Sequence, residues 1–152
     1  MPTTINFERP DTPDAVTLID ELQTHLEGFY PVESRHGFTV QKLLQDAVAF
    51  CVLREDATPA GCGGIKLFGT DYGELKRMYV RPQFRGRGLG KLLIRQLADH
   101  ARQHNVSVLR LETGIYQTEA IGLYERYGFR RIAPFGDYTN DPLSLCYEMR
   151  LD

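Results

Sequence analysis

Residues 74–101 read ELKRMYVRPQFRGRGLGKLLIRQLADHA and contain three different patterns in succession. The first seven residues alternate along the chain in a way that predicts a β-strand over 74–80. Glycines and basic residues then fill the segment from Arg81 to Gly90. Apolar residues at helical spacing follow, at Leu89, Leu92, Leu93, Leu97 and Ala101. The stretch is therefore a strand, a glycine-rich basic loop and an amphipathic helix.

Alternation along the strand divides its side chains between two faces. The spacing predicts one face made of Glu74, Lys76, Met78 and Val80. It predicts an opposite face made of Leu75, Arg77 and Tyr79. Glu74 is thus expected to share a face with Met78 and Val80, directed toward a cleft.

The loop between strand and helix has the composition of an anion-binding site. Gly86, Gly88 and Gly90 let the main chain turn its N–H groups inward without interference from a Cβ atom. The helix N-terminus that follows adds unpaired N–H groups and a partial positive charge. Arg85, Arg87 and Lys91 add full charges. A phosphate or pyrophosphate is the expected ligand, although the spacing fits neither a Walker loop nor a dinucleotide fingerprint.

The charge distribution also points to one local anionic ligand. The whole chain has a net charge of −2, yet the segment 75–102 contains eight basic residues and one acidic residue. A nearly neutral chain argues against general binding to nucleic acid or to a membrane surface. A solvated helix face is the alternative interpretation of the basic segment, and the glycines favour the ligand site.

The remaining sequence predicts a mixed α/β domain with the element order βααβββαβαββ. We expect strands at 5–9, 47–53, 60–68, 74–80, 106–111, 130–134 and 143–149. We expect helices at 12–28, 38–45 and 89–105, and one that is capped by Thr118 and ends at Gly128. A length of 152 residues predicts a single domain over 1–152.

Sequence composition indicates where the protein is located and what its cysteines and histidines do. The N-terminus lacks a signal-peptide pattern, and no apolar run approaches the ~18 residues of a membrane span. We therefore expect a cytoplasmic protein. Cys51, Cys62 and Cys146 are an odd number without a C-x-x-C pair, which favours buried, reduced thiols. The histidines His25, His36, His100 and His104 show no metal-ligand spacing, and we expect them at the surface.

Two motifs in the correct order resemble the GNAT superfamily of acyl-CoA-dependent N-acyltransferases. Arg85-x-x-Gly88-x-Gly90 resembles the family's R/Q-x-x-G-x-G/A signature. About 30 residues later, the run from Ala120 to Phe129 resembles its A-x-x-L-Y-x-x-x-G-F helix and strand. The resemblance covers nearly the whole chain. It implies a central twisted mixed sheet flanked by about four helices, with acetyl-CoA as cosubstrate and no metal.

The resemblance also implies where coenzyme A binds. The pyrophosphate would lie on the main-chain N–H groups of the loop, and the pantetheine arm would run beside a splayed strand. Gln117 stands where many members carry an asparagine that contacts this arm. The implied cofactor-binding residues are Met78, Tyr79, Val80, Arg85, Gly86, Arg87, Gly88, Leu89, Gly90, Lys91 and Gln117.

Two residues at family positions are catalytic candidates. Tyr124 would be the general acid that protonates the departing thiolate, although an aromatic at this helical spacing is more often part of a core. Glu74, eleven residues before Arg85, would be the general base that deprotonates the amine, directly or through water. A surface carboxylate at the strand entry is the alternative for Glu74. Many family members lack one dedicated base.

The acceptor is expected to be a small-molecule primary amine, such as an amino acid or an amine metabolite. Its cleft would be lined by Phe29, Tyr30, Arg35, Tyr72 and Tyr138. Acetylation of a protein amine, a non-catalytic acyl-CoA-binding domain and a small nucleic-acid-binding module are the alternatives. The resemblance further implies that two copies could pair through the last strands into a homodimer.

Overall fold

A seven-stranded mixed sheet forms the centre of the protein. The computed structural model describes residues 2–35 and 38–152. The strands follow the spatial order β1-β2-β3-β4-β5-β7-β6, and every neighbouring pair is antiparallel except β4 and β5. Their bounds are β1 Thr3–Phe7, β2 Ala49–Glu55, β3 Thr58–Phe68, β4 Tyr72–Val80, β5 Val108–Gly114, β6 Arg130–Ile132 and β7 Ser144–Arg150.

Four α-helices of the described residues lie between these strands, so the predicted mixed α/β class and element order are confirmed. They are α1 Pro13–Glu27, α2 Val40–Gln45, α3 Leu89–Gln103 and α4 Thr118–Tyr127. Proline begins α1, and Gly28 ends it. The prediction that Thr118 caps α4 is wrong, because Gln117 is the N-cap residue and Thr118 is the first helical residue.

The two faces of the sheet bury separate apolar clusters. Helix α3 contributes Leu93, Ile94 and Leu97 to the larger cluster, which also contains Tyr124 and Phe129. Helix α1 contributes Ala15, Leu18 and Ile19 to the smaller cluster on the other face. The three cysteines are buried and free, as predicted. None of the helices in the described residues is long and apolar enough to span a membrane.

A β-bulge in β4 overturns the predicted alternation of that strand. The register with β3 shifts between Cys62 and Gly64, and Arg77 opposite them has a φ of 53°. An extra residue in one strand moves all later side chains to the other face. Met78 and Val80 consequently pack in the larger cluster with Leu75, and Arg77 lies on the face of Lys76. The predicted face shared by Glu74, Met78 and Val80 is therefore wrong.

Strands β4 and β5 separate soon after they meet. Their parallel pairing consists of Gly73 opposite Leu109 and Glu74 opposite Arg110. Within the described residues, no strand pairs with the β5 side of β4 beyond Glu74. A wedge-shaped opening in the sheet follows, between the second half of β4 and the end of β5.

Gly61 is a position where the sheet requires the absence of a side chain. A Cβ atom there would lie 2.7 Å from the main-chain oxygen of Tyr79 and 3.3 Å from Leu93. We expect Gly61→Ala to lower the free energy of unfolding by about 1–3 kcal/mol, because the strand backbone must move to accept it. Chemical denaturation measures this. Gly28→Ala is the control, since Gly28 has an ordinary φ of −74° and an added Cβ meets nothing closer than 3.5 Å. Equal stability losses in the two variants would contradict the prediction.

Candidate active site

The loop between β4 and α3 presents unpaired main-chain donors, as its sequence predicts. Gly86 and Gly88 have φ values of 81° and 76°, which glycine adopts without strain. The first hydrogen bond of α3 runs from the N–H of Leu92 to the carbonyl of Gly88. Among the described residues, no acceptor is bonded to the main-chain N–H groups of 86–91. All of these residues except Arg87 line a groove of about 930 Å³, where such donors are placed to bind an anion.

The three basic side chains of this loop differ in their contacts and in whether they line the groove. Arg85 donates to the carbonyl of Val80 at 3.0 Å and pairs with Glu119 of α4 at 3.0 Å. Lys91 lines the groove. The guanidinium of Arg87 lies over the Phe84 ring, 5.3 Å from its centroid, and Arg87 is not part of the groove lining. Arg85 thus joins the loop to α4, and Lys91 is placed to add charge to the groove.

The groove continues along the unpaired edge of β4. Met78, Tyr79 and Val80 line it on one side, and Gln117 lines it on the other. The Nε2 atom of Gln117 is buried and has no hydrogen-bond partner in the described part of the chain. An extended, amide-bearing ligand would supply partners both to the open strand edge and to this amide.

Tyr124 lies where the groove meets a second, smaller cavity. The residue is buried, with 6% exposure, and it lines both spaces. Its ring packs edge-on against Phe129, with 5.7 Å between the ring centroids. Burial, followed by the charge of Glu112, raises the pKa of Tyr124 above the ordinary 10.0. Its hydroxyl therefore stays protonated at neutral pH and can act as a proton donor.

A buried triad of polar side chains forms one wall of the small cavity, whose volume is about 120 Å³. The ammonium of Lys76 donates to Glu74 at 2.8 Å and to the Tyr138 oxygen at 2.9 Å. The Tyr138 hydroxyl donates to the same Glu74 oxygen at 2.5 Å. Burial and the Glu74 charge raise the pKa of Tyr138, so it remains a neutral donor. Glu74 is thus a buried, ion-paired carboxylate at the cavity wall.

The structure brings some of the predicted acceptor residues together and separates others. Tyr30, Arg35 and Tyr138 line the small cavity, whereas Phe29 lines the groove. Tyr72 borders neither space; its ring stacks on Phe68 at 4.6 Å between centroids and lies 4.4 Å from the Arg110 guanidinium.

The histidines do not form a metal site in the described residues. His25 borders the groove, and the rings of His100 and His104 lie 4.3 Å apart on α3. His36 lies outside the described residues. Across 2–35 and 38–152, no three His, Cys, Asp or Glu side chains are grouped so that they could hold a metal ion.

Sequence reasoning missed two charged residues of the cavity wall, Lys76 and Arg77. The i, i+2 spacing of Glu74 and Lys76 on one strand face was a signal for the ion pair. No comparable signal existed for Arg77, because the bulge that turns it to this face depends on the register with β3.

The groove and the small polar cavity are thus neighbouring spaces that share Tyr124 in their linings. Comparison with known proteins assigns the class. The protein-family model described as the acetyltransferase (GNAT) family matches residues 17–129 of this chain. A protein of Azospirillum brasilense named IAA acetyltransferase is 43% identical over 149 residues, which cover 97% of each chain. The chain belongs to the acetyltransferase (GNAT) family.

Other relatives agree with this assignment. The uncharacterized N-acetyltransferase YedL of Escherichia coli is 37% identical over 125 residues, covering 79% of each chain. A crystal structure from Klebsiella pneumoniae, assigned as an acyl-CoA N-acyltransferase, has a TM-score of 0.83 and 35% identity over 99% of this chain and 98% of that one. PaiA N-acetyltransferase of Thermoplasma acidophilum, solved with coenzyme A, shares the fold with a TM-score of 0.78, at 18% identity over 99% of each chain.

The ion pair between Glu74 and Lys76 can be tested by measuring the free energy of unfolding. Lys76→Met leaves the Glu74 carboxylate buried without its cation, so we expect unfolding to become easier by about 3–5 kcal/mol. Adding Glu74→Gln removes the uncompensated charge and is expected to restore more than half of the loss. A double-mutant cycle by chemical denaturation measures both effects. Additive losses would show that the two side chains are not coupled.

Proposed function

We propose that this protein transfers the acetyl group of acetyl-CoA to a primary amine of a small molecule, such as an amino acid or an amine metabolite. The observation that carries the proposal is the position of Tyr124, which borders both the groove beneath the free loop amides and the small cavity beside Glu74. The groove would hold coenzyme A, with its pyrophosphate on the N–H groups of 86–91 and its pantetheine arm between Met78–Val80 and Gln117.

The reaction would join the contents of the two spaces in one ternary complex. The amine nitrogen attacks the thioester carbonyl carbon, the new C–N bond forms, and the C–S bond then breaks. Glu74 accepts the proton that the amine loses, directly or through water. The Tyr124 hydroxyl gives its proton to the departing thiolate of coenzyme A. Main-chain N–H groups of the open β4 edge stabilise the charge that develops on the carbonyl oxygen.

The cysteines favour direct transfer over a covalent acyl-enzyme. A nucleophilic cysteine needs a lowered pKa. Burial raises the pKa of Cys51 to about 12, and it also raises the pKa of Cys62 and Cys146. None of these thiols borders the groove or the small cavity. The amine is therefore the nucleophile that attacks the thioester.

The size of the small cavity favours a small acceptor. Its volume is about 120 Å³ and its polar wall is buried, which suits a compact amine better than a protein side chain on a folded surface. The relative from Azospirillum brasilense is named for one acceptor, IAA. That compound therefore belongs in an acceptor panel beside amino acids, simple amines, polyamines and peptides.

The proposal is tested by release of coenzyme A thiol. Purified protein with acetyl-CoA is incubated with each member of the panel, and the free thiol is measured over time. Amine-dependent release with a matching acetylated product supports the proposal. Tight binding of acetyl-CoA without transfer to any acceptor would favour a non-catalytic acyl-CoA-binding protein and overturn it.

Tyr124→Phe tests the proposed acid. We expect kcat to fall by about 100-fold or more with little change in acetyl-CoA affinity, because the variant loses only the donated proton. The raised pKa of Tyr124 means that its deprotonation should not reduce the wild-type rate below pH 10.0. Tyr127→Phe, on the same helix and outside both linings, is the control. An unchanged kcat in Tyr124→Phe would remove this residue from the mechanism.

Glu74→Gln tests the proposed base. The amide keeps the shape of the side chain but cannot accept a proton, so kcat should fall by about 100-fold. The exposed Glu33→Gln serves as the control. Steady-state rates are compared at a temperature where both variants are folded. Wild-type turnover in Glu74→Gln would assign proton removal to solvent alone.

A further inference from the structure

Arg77 combines two features that are unusual for a charged residue. The residue is buried, with 8% exposure, although an arginine is almost never fully buried without a partner. Its φ of 53° is a conformation that non-glycine residues seldom adopt. The bulge places it beside Lys76 at the wall of the small cavity. Strained backbone of this kind is often found at functional sites.

The guanidinium has neutral partners and one unused nitrogen. Nε donates to the Phe38 carbonyl at 2.8 Å, and Nη2 donates to the Gln23 side-chain oxygen at 2.7 Å. Nη1 is buried and has no hydrogen-bond partner among residues 2–35 and 38–152. No carboxylate of those residues forms an ion pair with Arg77. A buried cation without an anion is costly, and burial lowers the pKa of Arg77.

The other cations of the cavity wall already have anionic partners. Lys76 is paired with Glu74 at 2.8 Å, and Arg35 lies 3.7 Å from Glu27. Arg77 borders the small cavity and does not border the groove. The pyrophosphate of a ligand in the groove is therefore not placed to neutralise it. An occupant of the small cavity is the remaining candidate for an anion beside Arg77.

We propose that the acceptor carries a carboxylate which Arg77 binds through Nη1, so that the substrate class is an amino acid rather than a simple amine. This inference rests on the proposed function. A zwitterion would place its amine beside Glu74 and its carboxylate at Arg77, both of which line the cavity. Arginine suits this role because it stays charged when buried and its planar fork matches a carboxylate.

The first test compares matched acceptors on the wild-type enzyme. Each active amino acid is paired with its carboxamide and with the amine that lacks the carboxyl group, and kcat/KM is measured by thiol release. We expect the carboxylate form to be preferred by at least about 100-fold, because its absence leaves a buried donor unpaired. Transfer to amines without such a preference would overturn this inference and leave the proposed function intact. Transfer to no acceptor at all would overturn both.

The second test assigns the preference to Arg77. In Arg77→Gln, the preference is expected to fall below about threefold, mainly through a higher KM for the amino acid, with a much smaller change in kcat/KM for the simple amine. Arg77→Lys keeps the charge without the fork and should retain part of the preference. Arg81→Gln is the control, since Arg81 is paired with Glu21 at 2.6 Å outside both linings. Equal losses for both acceptors in Arg77→Gln would mean that the residue is only structural.

A structure of the wild-type protein with the acetylated amino acid provides a readout that needs no variant. We expect a carboxylate oxygen within hydrogen-bond distance of Arg77 Nη1. A carboxylate bound elsewhere, with Nη1 still unpartnered, would overturn the assignment even if Arg77→Gln fails to fold.

Discussion

The separation of β4 from β5 is the feature on which the site depends. Two residue pairs join these parallel strands, at Gly73–Leu109 and Glu74–Arg110, and the strands then part. A continuous sheet would have paired the main-chain groups of Met78–Val80 and filled the space that now forms the groove. Because the strands part, one edge of β4 stays open beyond Glu74 among the described residues, and the groove beside it extends to Tyr124.

The bulge at Arg77 decides which side chains of the same strand share a face. Before the bulge, Glu74 and Lys76 occupy one face; after it, Met78 and Val80 pack into the larger core with α3. A regular strand would have buried Arg77 on the side of Leu75, against apolar residues of α3. The inserted residue instead gathers three charges, from Glu74, Lys76 and Arg77, at one small cavity. Strand β4 thus supplies the charged groups of the small cavity, and the loop that follows β4 presents unbonded main-chain donors.

Much of the fold was predictable because its signals are local. The order of strands and helices follows from alternation, helical spacing and the glycines that end helices, and each of these acts over a few residues. The loop of 86–91 was predictable for the same reason, since glycine conformation and a helix N-terminus are local properties. The position of Gln117 and Tyr124 beside the groove was expected from a family resemblance and agrees with the lining residues observed. The cap of α4 was predicted one residue too late because threonine is a preferred N-cap residue and glutamine is not, yet Gln117 holds the N-cap position.

The amino-acid sequence alone therefore specified the secondary-structure elements, the glycine-rich loop of 86–91 and the identity of the chemical groups. It did not specify which of these groups meet. The Glu74–Lys76–Tyr138 triad joins residues 64 positions apart, and the orientation of Arg77 depends on the register between β3 and β4. Tyr72, expected at the acceptor site, instead stacks on Phe68 and Arg110. Such contacts arise from long-range packing, in which a one-residue shift of register moves a side chain to the opposite face of the sheet.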